Sequence, residues 1–233
     1  DEEKSSKPKP KPNKDRNPYY GDLHVHTKHS FDAYIFGITA TPNDAYRYAK
    51  GDGIMHPMGY EMKLREPLDF YSVTDHGFFM GMLNAWSDTS TDISQKDFAK
   101  PFHDLNRVEN LTAESAGPRS ALFSTILGGT VTQTYSDLSP NVLKAWLTKN
   151  TQTALKSFDY EIHKSAWEDV ARAANEHNDP GHFTTFIGYE FTTSTNVEGG
   201  NLHRNVIFNS SKAPIRPWTR IDSINPEDLW TWQ

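Results

Sequence analysis

Tyr20-Gly21-Asp22-Leu23-His24-Val25-His26-Thr27 is the stretch on which the organisation of this chain turns. Leu23, Val25 and Thr27 alternate with Asp22, His24 and His26, which is the period of a β-strand, so both imidazoles share one face. Two histidines at i and i+2 on a strand can converge on one ion, because neutral imidazole nitrogen is a common ligand for first-row divalent metals. Asp32 follows in the run Ser30-Phe31-Asp32-Ala33, and Phe70-Tyr71-Ser72-Val73-Thr74-Asp75-His76 reads as a second short apolar strand ending in a carboxylate and an imidazole. A wet strand with incidental histidines would not repeat these ligand types at a second strand end.

Composition narrows the class. A chain of 233 residues can bury one sizeable core, and 12% aromatic content against 36% hydrophobic content predicts that the core is rich in rings. No stretch approaches the roughly 18 consecutive apolar residues of a membrane span. The absence of cysteine removes disulfides and thiol nucleophiles. Residues 1–18 form a Pro/Lys tract with six cationic and four anionic side chains, net +2, which leaves −8 on the body out of a total of −6. Such a tract reads as a disordered leader and suggests an exported, periplasmic or secreted protein. An acidic body argues against nucleic acid and favours a small phosphorylated or otherwise compact substrate.

Along the chain, Thr41-Pro42-Asn43-Asp44 starts a helix that Gly51 ends, with Gly51 to Pro57 as a loop and Leu68 to His76 as the second strand. Residues 78–160 read as an insertion of short helices, one over Met80 to Trp86 and another capped by Ser139. An amphipathic helix over Ser165 to Ala174 leads to a third strand, Phe183 to Phe191. A Gly199-Gly200 turn and a fourth strand, Asn201 to Phe208, follow, and Asn225 opens a last helix. Alternating strands and helices, with near-continuous apolar strands, predict an α/β fold with a parallel sheet. His26, His76 and Glu190 then lie at or near carboxyl ends of strands, where such folds place their sites.

These motifs, in order, resemble the polymerase-and-histidinol-phosphatase (PHP) family of metal-dependent phosphoesterases: Asp22-Leu23-His24-Val25-His26-Thr27, Ser30-Phe31-Asp32-Ala33, Thr74-Asp75-His76, Gly188-Tyr189-Glu190 and Asn201-Leu202-His203-Arg204-Asn205. The resemblance runs from about Tyr19 to His203 and is closer to an uncharacterised, often exported branch. It implies a distorted (β/α)7-type barrel whose mouth holds up to three divalent ions, Zn, Mn or Fe. Carried over, His24 and His26 bind the first ion, Asp32 and His76 another, Glu190 bridges two, and His203 is a further ligand of the bridged pair. Asp75 orients a neighbour or carries a proton. Ions of this kind clamp a phosphoryl oxygen and generate hydroxide near neutral pH.

The family pattern also includes a later Asp-x-His, and no histidine follows His203 here. The expectation is therefore a front portion, residues 19–233, whose site is completed by a C-terminal part or a partner chain. Arg204 is a candidate for binding the substrate phosphate. His29 reads as facing solvent or lining the mouth, and His56, His103, His163, His177 and His182 as surface or loop residues. There is no P-loop, Gly-x-Ser-x-Gly or His-Glu-x-x-His. Two rival readings stay open. An amidohydrolase-type barrel also opens with His-x-His but needs a metal-bridging lysine, and a non-catalytic metal-binding subunit needs no complete site.

Overall fold

The computed structural model describes residues 11–126, 155–193, 202–223 and 225–233. Strand β1 (Gly21–Val25) leads through the short helix α1 (Phe31–Ile35) to α2 (Pro42–Ala49). A small antiparallel ribbon of β2 (Ile54–Met55) and β3 (Glu61–Met62) precedes β4 (Phe70–Val73). Helices α3 (Met82–Ser87) and α4 (Ala116–Ile126) follow, with 3-10 turns between them. The long α5 (Tyr160–His177) returns the chain to β5 (Thr184–Thr185), β6 (Ile187–Thr193), β7 (Leu202–Phe208) and α6 (Pro226–Trp232).

The result is a mixed α/β arrangement built on a parallel sheet ordered β1-β4-β5. Beyond β5 the parallel pairing resumes where His76 bridges Glu190, so β5 and β6 act as one ribbon beside β4 in unchanged register. The ladder is interrupted at Phe186, whose carbonyl accepts instead from the hydroxyls of Ser72 (3.0 Å) and Tyr46 (3.3 Å). All seven residues of β6 are buried, as a strand covered on both faces requires. β7 departs from the expected parallel pattern. It pairs antiparallel with β6, because a short connection can return a strand only in that sense.

Helices α2 and α5 cover one face of this sheet. Tyr46, Ala49, Trp167, Val170 and Ala174 pack there against Tyr71, Val73, Tyr189 and Phe191. Each large apolar side chain fully buried in this way contributes roughly 1.5–3 kcal/mol. α2 begins where its sequence predicts, in a capping box. The Asp44 N–H donates to Thr41 Oγ1 at 3.1 Å, and the Thr41 N–H donates to Asp44 Oδ2 at 3.0 Å. α5 starts at Tyr160 and not at Ser165, because Asp159 caps it by accepting from the Glu161 and Ile162 N–H groups.

A second core, of Phe31, Phe78, Phe79, Trp86 and Phe102 among others, joins α1 and α3 to the residues after them. Gly81 lies at the junction with φ +77°, and a Cβ there would meet Ala166 Cβ at 2.6 Å, so only glycine fits. The buried Arg119 of α4 ties this region together, donating to the carbonyls of Ile35, Leu105 and Asn110 and to Asn106 Oδ1. The segment from Gly51 to Pro57, read as a loop, contains β2. The helix capped by Ser139, the Gly199-Gly200 turn and residues 1–10 of the leader lie outside the described residues. Residues 11–18 are irregular and largely exposed.

Candidate metal centre

Glu190 is the centre of the arrangement, 1% exposed on β6 between strands β4 and β7. Its Oε2 lies 2.8 Å from His26 Nε2 and 3.1 Å from His24 Nε2, and its Oε1 contacts His203 Nδ1. His76 Nδ1 is 3.5 Å from the same Oε2. Asp32, in the first turn of α1, forms a second pole, 3.1 Å from His26 Nδ1 and 3.5 Å from His76 Nε2. His26 therefore stands between two carboxylates.

Local structure explains this convergence. The period of β1 puts His24 and His26 on one face, with ring centroids 5.2 Å apart. The loop after His26 is fastened to the end of β4. Asp75 accepts from the Thr27 N–H (2.5 Å) and hydroxyl (2.7 Å), while the His76 N–H donates to Ser30 Oγ (3.1 Å). Ser30 in turn donates to Asp32 Oδ1 at 2.5 Å. In the β6–β7 hairpin, Glu190 pairs with Asn205 and Thr192 with His203, so all four side chains share the face toward β1. Gly188 lets β4 and β7 approach closely, since a Cβ there would meet Ser72 Oγ at 2.8 Å and the Val206 carbonyl at 3.1 Å.

The electrostatics follow from this crowding. Burial alone would disfavour a charged His26, but hydrogen bonds to Asp32 and Glu190 override it and push its pKa up to about 10. Burial would raise Glu190, yet His26, His76 and His203 bring it down to about 2. Asp32, also buried, is held well below the usual carboxylate range by His26 and His76. A proton on His26 thus fills the place of a cation between two anionic groups.

Three overlapping groups have ligand atoms within 4.8 Å of one another: His24, His26 and Glu190; His26, Asp32 and His76; His76, Glu190 and His203. Imidazole nitrogens with a carboxylate in each group suit a borderline divalent ion, and the buried carboxylates would offset its charge. These groups could hold metal. His24 and His203 are 57% and 41% exposed at the side chain, so the cluster is open on their side.

All six expected ligands, His24, His26, Asp32, His76, Glu190 and His203, thus lie together. The other two candidates are not members of these groups. Asp75 is fully buried, with its carboxylate bonded to Thr27, and Arg204 is exposed on the face of β7 opposite His203. His29 pairs with Asp169 of α5 at 2.8 Å. His163, read as a surface or loop residue, is instead 1% exposed, and its Nε2–H donates to the Gly77 carbonyl at 2.7 Å. Its place three and four residues before Ala166 and Trp167 puts it on the apolar side of α5, a relationship that a helix starting at Ser165 does not show. Ser30, Thr192 and Asn205 join the site with no role expected for them from sequence. Period two from Glu190 and from His203 was the available signal for the last two.

A family model described as "Protein of unknown function (DUF3604)" matches residues 13–233. No curated protein and no solved structure matches the chain.

Proposed function

We propose that this chain, which belongs to the DUF3604 family, is a metal-dependent hydrolase, most specifically a phosphoesterase acting on a small phosphorylated substrate. The observation that carries this reading is Glu190, a buried carboxylate shared by two of the three ligand groups. Zn²⁺, Mn²⁺ or Fe ions, up to three, are the cofactors it suits. Bound there, such ions would supply Lewis acidity toward a phosphoryl oxygen and an activated water.

The chain's own residues have separable roles in this proposal. Glu190 would bridge neighbouring groups and balance charge, with His24 and His203 on the open side and the more buried His26 between the two carboxylates. Asp32 and His76 form the second group, with His26. Asp75 holds Thr27, and through it the turn that carries His26 and Asp32. Arg204 faces away from the cluster, so substrate phosphate would be met by the ligand groups themselves.

Thr74-Asp75-His76 at the end of β4, with His76 in two of the three ligand groups, favours this class over an amidohydrolase-type site. A distorted PHP-type barrel is the architecture we propose for the complete domain, with β1, β4, the β5–β6 ribbon and β7 as its first part. Each group offers three protein ligands, which leaves room for ligands from a C-terminal part or a partner chain. An exported location belongs to the same proposal. Among the described residues, no helix is long and apolar enough to cross a membrane.

The test is elemental analysis of the purified chain, followed by hydrolysis of aryl phosphomono- and diesters with added Mn²⁺ or Zn²⁺. At least one ion per chain and metal-dependent release of phosphate are expected. Bound metal without hydrolysis of any ester, also in a chain extended at its C-terminus, would favour the non-catalytic metal-binding subunit.

A further inference from the structure

Two of the three ligand groups need the same ring. His76 belongs both to the group with His26 and Asp32 and to the group with Glu190 and His203. One imidazole has two nitrogens, and a neutral ring offers a lone pair from only one of them. Which group His76 serves therefore depends on what holds the other nitrogen.

Thr192 supplies that hold. Its hydroxyl lies 2.7 Å from His76 Nδ1, whereas Glu190 Oε2 is 3.5 Å from that nitrogen. Both partners are buried, Thr192 at 7% and His76 at 4% exposure, so water does not compete for the contact. Thr192 sits one period along β6 from Glu190, and the register of β6 with β7 fixes the backbone on which it stands. The opposite nitrogen, His76 Nε2, is left facing Asp32 Oδ2 at 3.5 Å.

We propose that Thr192 is a positioning residue of the metal centre: its hydroxyl accepts from His76 Nδ1–H and commits Nε2 to the ion of Asp32 and His26, withholding His76 from the group of Glu190 and His203. This inference rests on the metal reading given above. It implies that the group of Glu190 and His203 holds its ion with those two protein ligands alone. Outer hydrogen-bond partners of ligating histidines are worth about ten- to a hundredfold in metal affinity.

The experiment compares wild type with Thr192→Val, which keeps shape and strand preference without the hydroxyl, and Thr192→Ser, which restores it. Long-range ¹H–¹⁵N spectra of the metal-free proteins report the tautomer of His76, and Zn²⁺ titration reports number and affinity of ions. Circular dichroism establishes that each variant is folded. The expected result is a His76 protonated at Nδ1 in wild type and Thr192→Ser. In Thr192→Val that preference is lost, and one ion binds about ten- to a hundredfold more weakly while the others are unchanged. An unchanged tautomer and unchanged affinities in folded Thr192→Val would overturn the assignment and leave the metal reading standing. A wild-type chain that binds no divalent ion would overturn both.

Discussion

His76 and Glu190 face each other across a parallel β-bridge, with the Gly77 N–H donating to the Glu190 carbonyl at 2.9 Å and the Glu190 N–H donating to the Asp75 carbonyl at 3.0 Å. Main-chain bonds, not side-chain packing, thus fix the separation of a carboxylate and an imidazole that come from distant parts of the chain. Glu190→Gln should therefore change charge and leave geometry intact. Two ligand groups contain Glu190 and one does not, so the variant should bind fewer ions than wild type and retain the group of His26, Asp32 and His76. The metal-dependent hydrolysis proposed above should fall by about a hundredfold or more, because a neutral amide neither bridges ions nor offsets their charge. Elemental analysis beside the ester assay checks this. Full metal content and activity in Glu190→Gln would remove Glu190 from the centre of the site.

Asp75 gives a contrast between a residue that reacts and one that holds. Burial raises its pKa, with His29 and the Thr27 hydrogen bonds acting against that rise. A carboxamide at this position can accept from the Thr27 N–H and donate to its hydroxyl. Asp75→Asn should keep metal content and activity within a few-fold of wild type. Asp75→Ala strands the buried Thr27 N–H and should cost about 3 kcal/mol in urea unfolding. An inactive but fully stable Asp75→Asn would restore this residue to a role in proton transfer.

Much of this arrangement was legible in the sequence, and the reasons are local. The capping residues Thr41 and Asp44 and the alternation around His24 and His26 act over a few residues, so pattern alone places them. The six candidate ligands fall together because period and strand ends are short-range properties. The pairing of β6 with β7, and with it the aim of Thr192 and Asn205, is set by contacts between distant segments. Asn205, for instance, donates to the Leu23 carbonyl at 2.8 Å, a bond between β7 and β1 that no local pattern encodes. The start of α5 was missed for a different reason: Asp159 caps a first turn whose residues Tyr160 and Glu161 are exposed and carry no apolar signal.

Arg119 should matter for the second core and not for the candidate metal centre. Its guanidinium is buried among carbonyls, with Ile35 and Leu105 at 2.6 and 2.5 Å, and has no carboxylate among these partners. Arg119→Met keeps the bulk and strands those acceptors, at an expected cost of about 3 kcal/mol. Hydrogen exchange should show lost protection over residues 100–126 with β6 and β7 unaffected, and metal content should not change. Loss of protection in β6 to the same extent would show that the two cores unfold as one unit.

His163 predicts a specific acid sensitivity. Burial lowers its pKa from 6.5 to about 4, against the opposing hydrogen bond to the Gly77 carbonyl and with Arg216 adding repulsion. The folded chain therefore favours the neutral ring, while the unfolded chain takes up a proton below about pH 6.5. The sign is fixed by that difference: stability is intact above pH 6.5, falls as pH drops toward 4, and loses nothing more from this residue below it. A shift of this size corresponds to about 3 kcal/mol. His163→Gln keeps a donor for the Gly77 carbonyl and cannot be protonated, so it should flatten this part of the curve. Urea unfolding with chelator present, at pH 7.5 and pH 4, separates the effect from metal release. The stability difference between wild type and His163→Gln should move by about 3 kcal/mol in favour of the variant between the two conditions. A difference that stays constant with pH would mean that His163 is not held neutral by the fold.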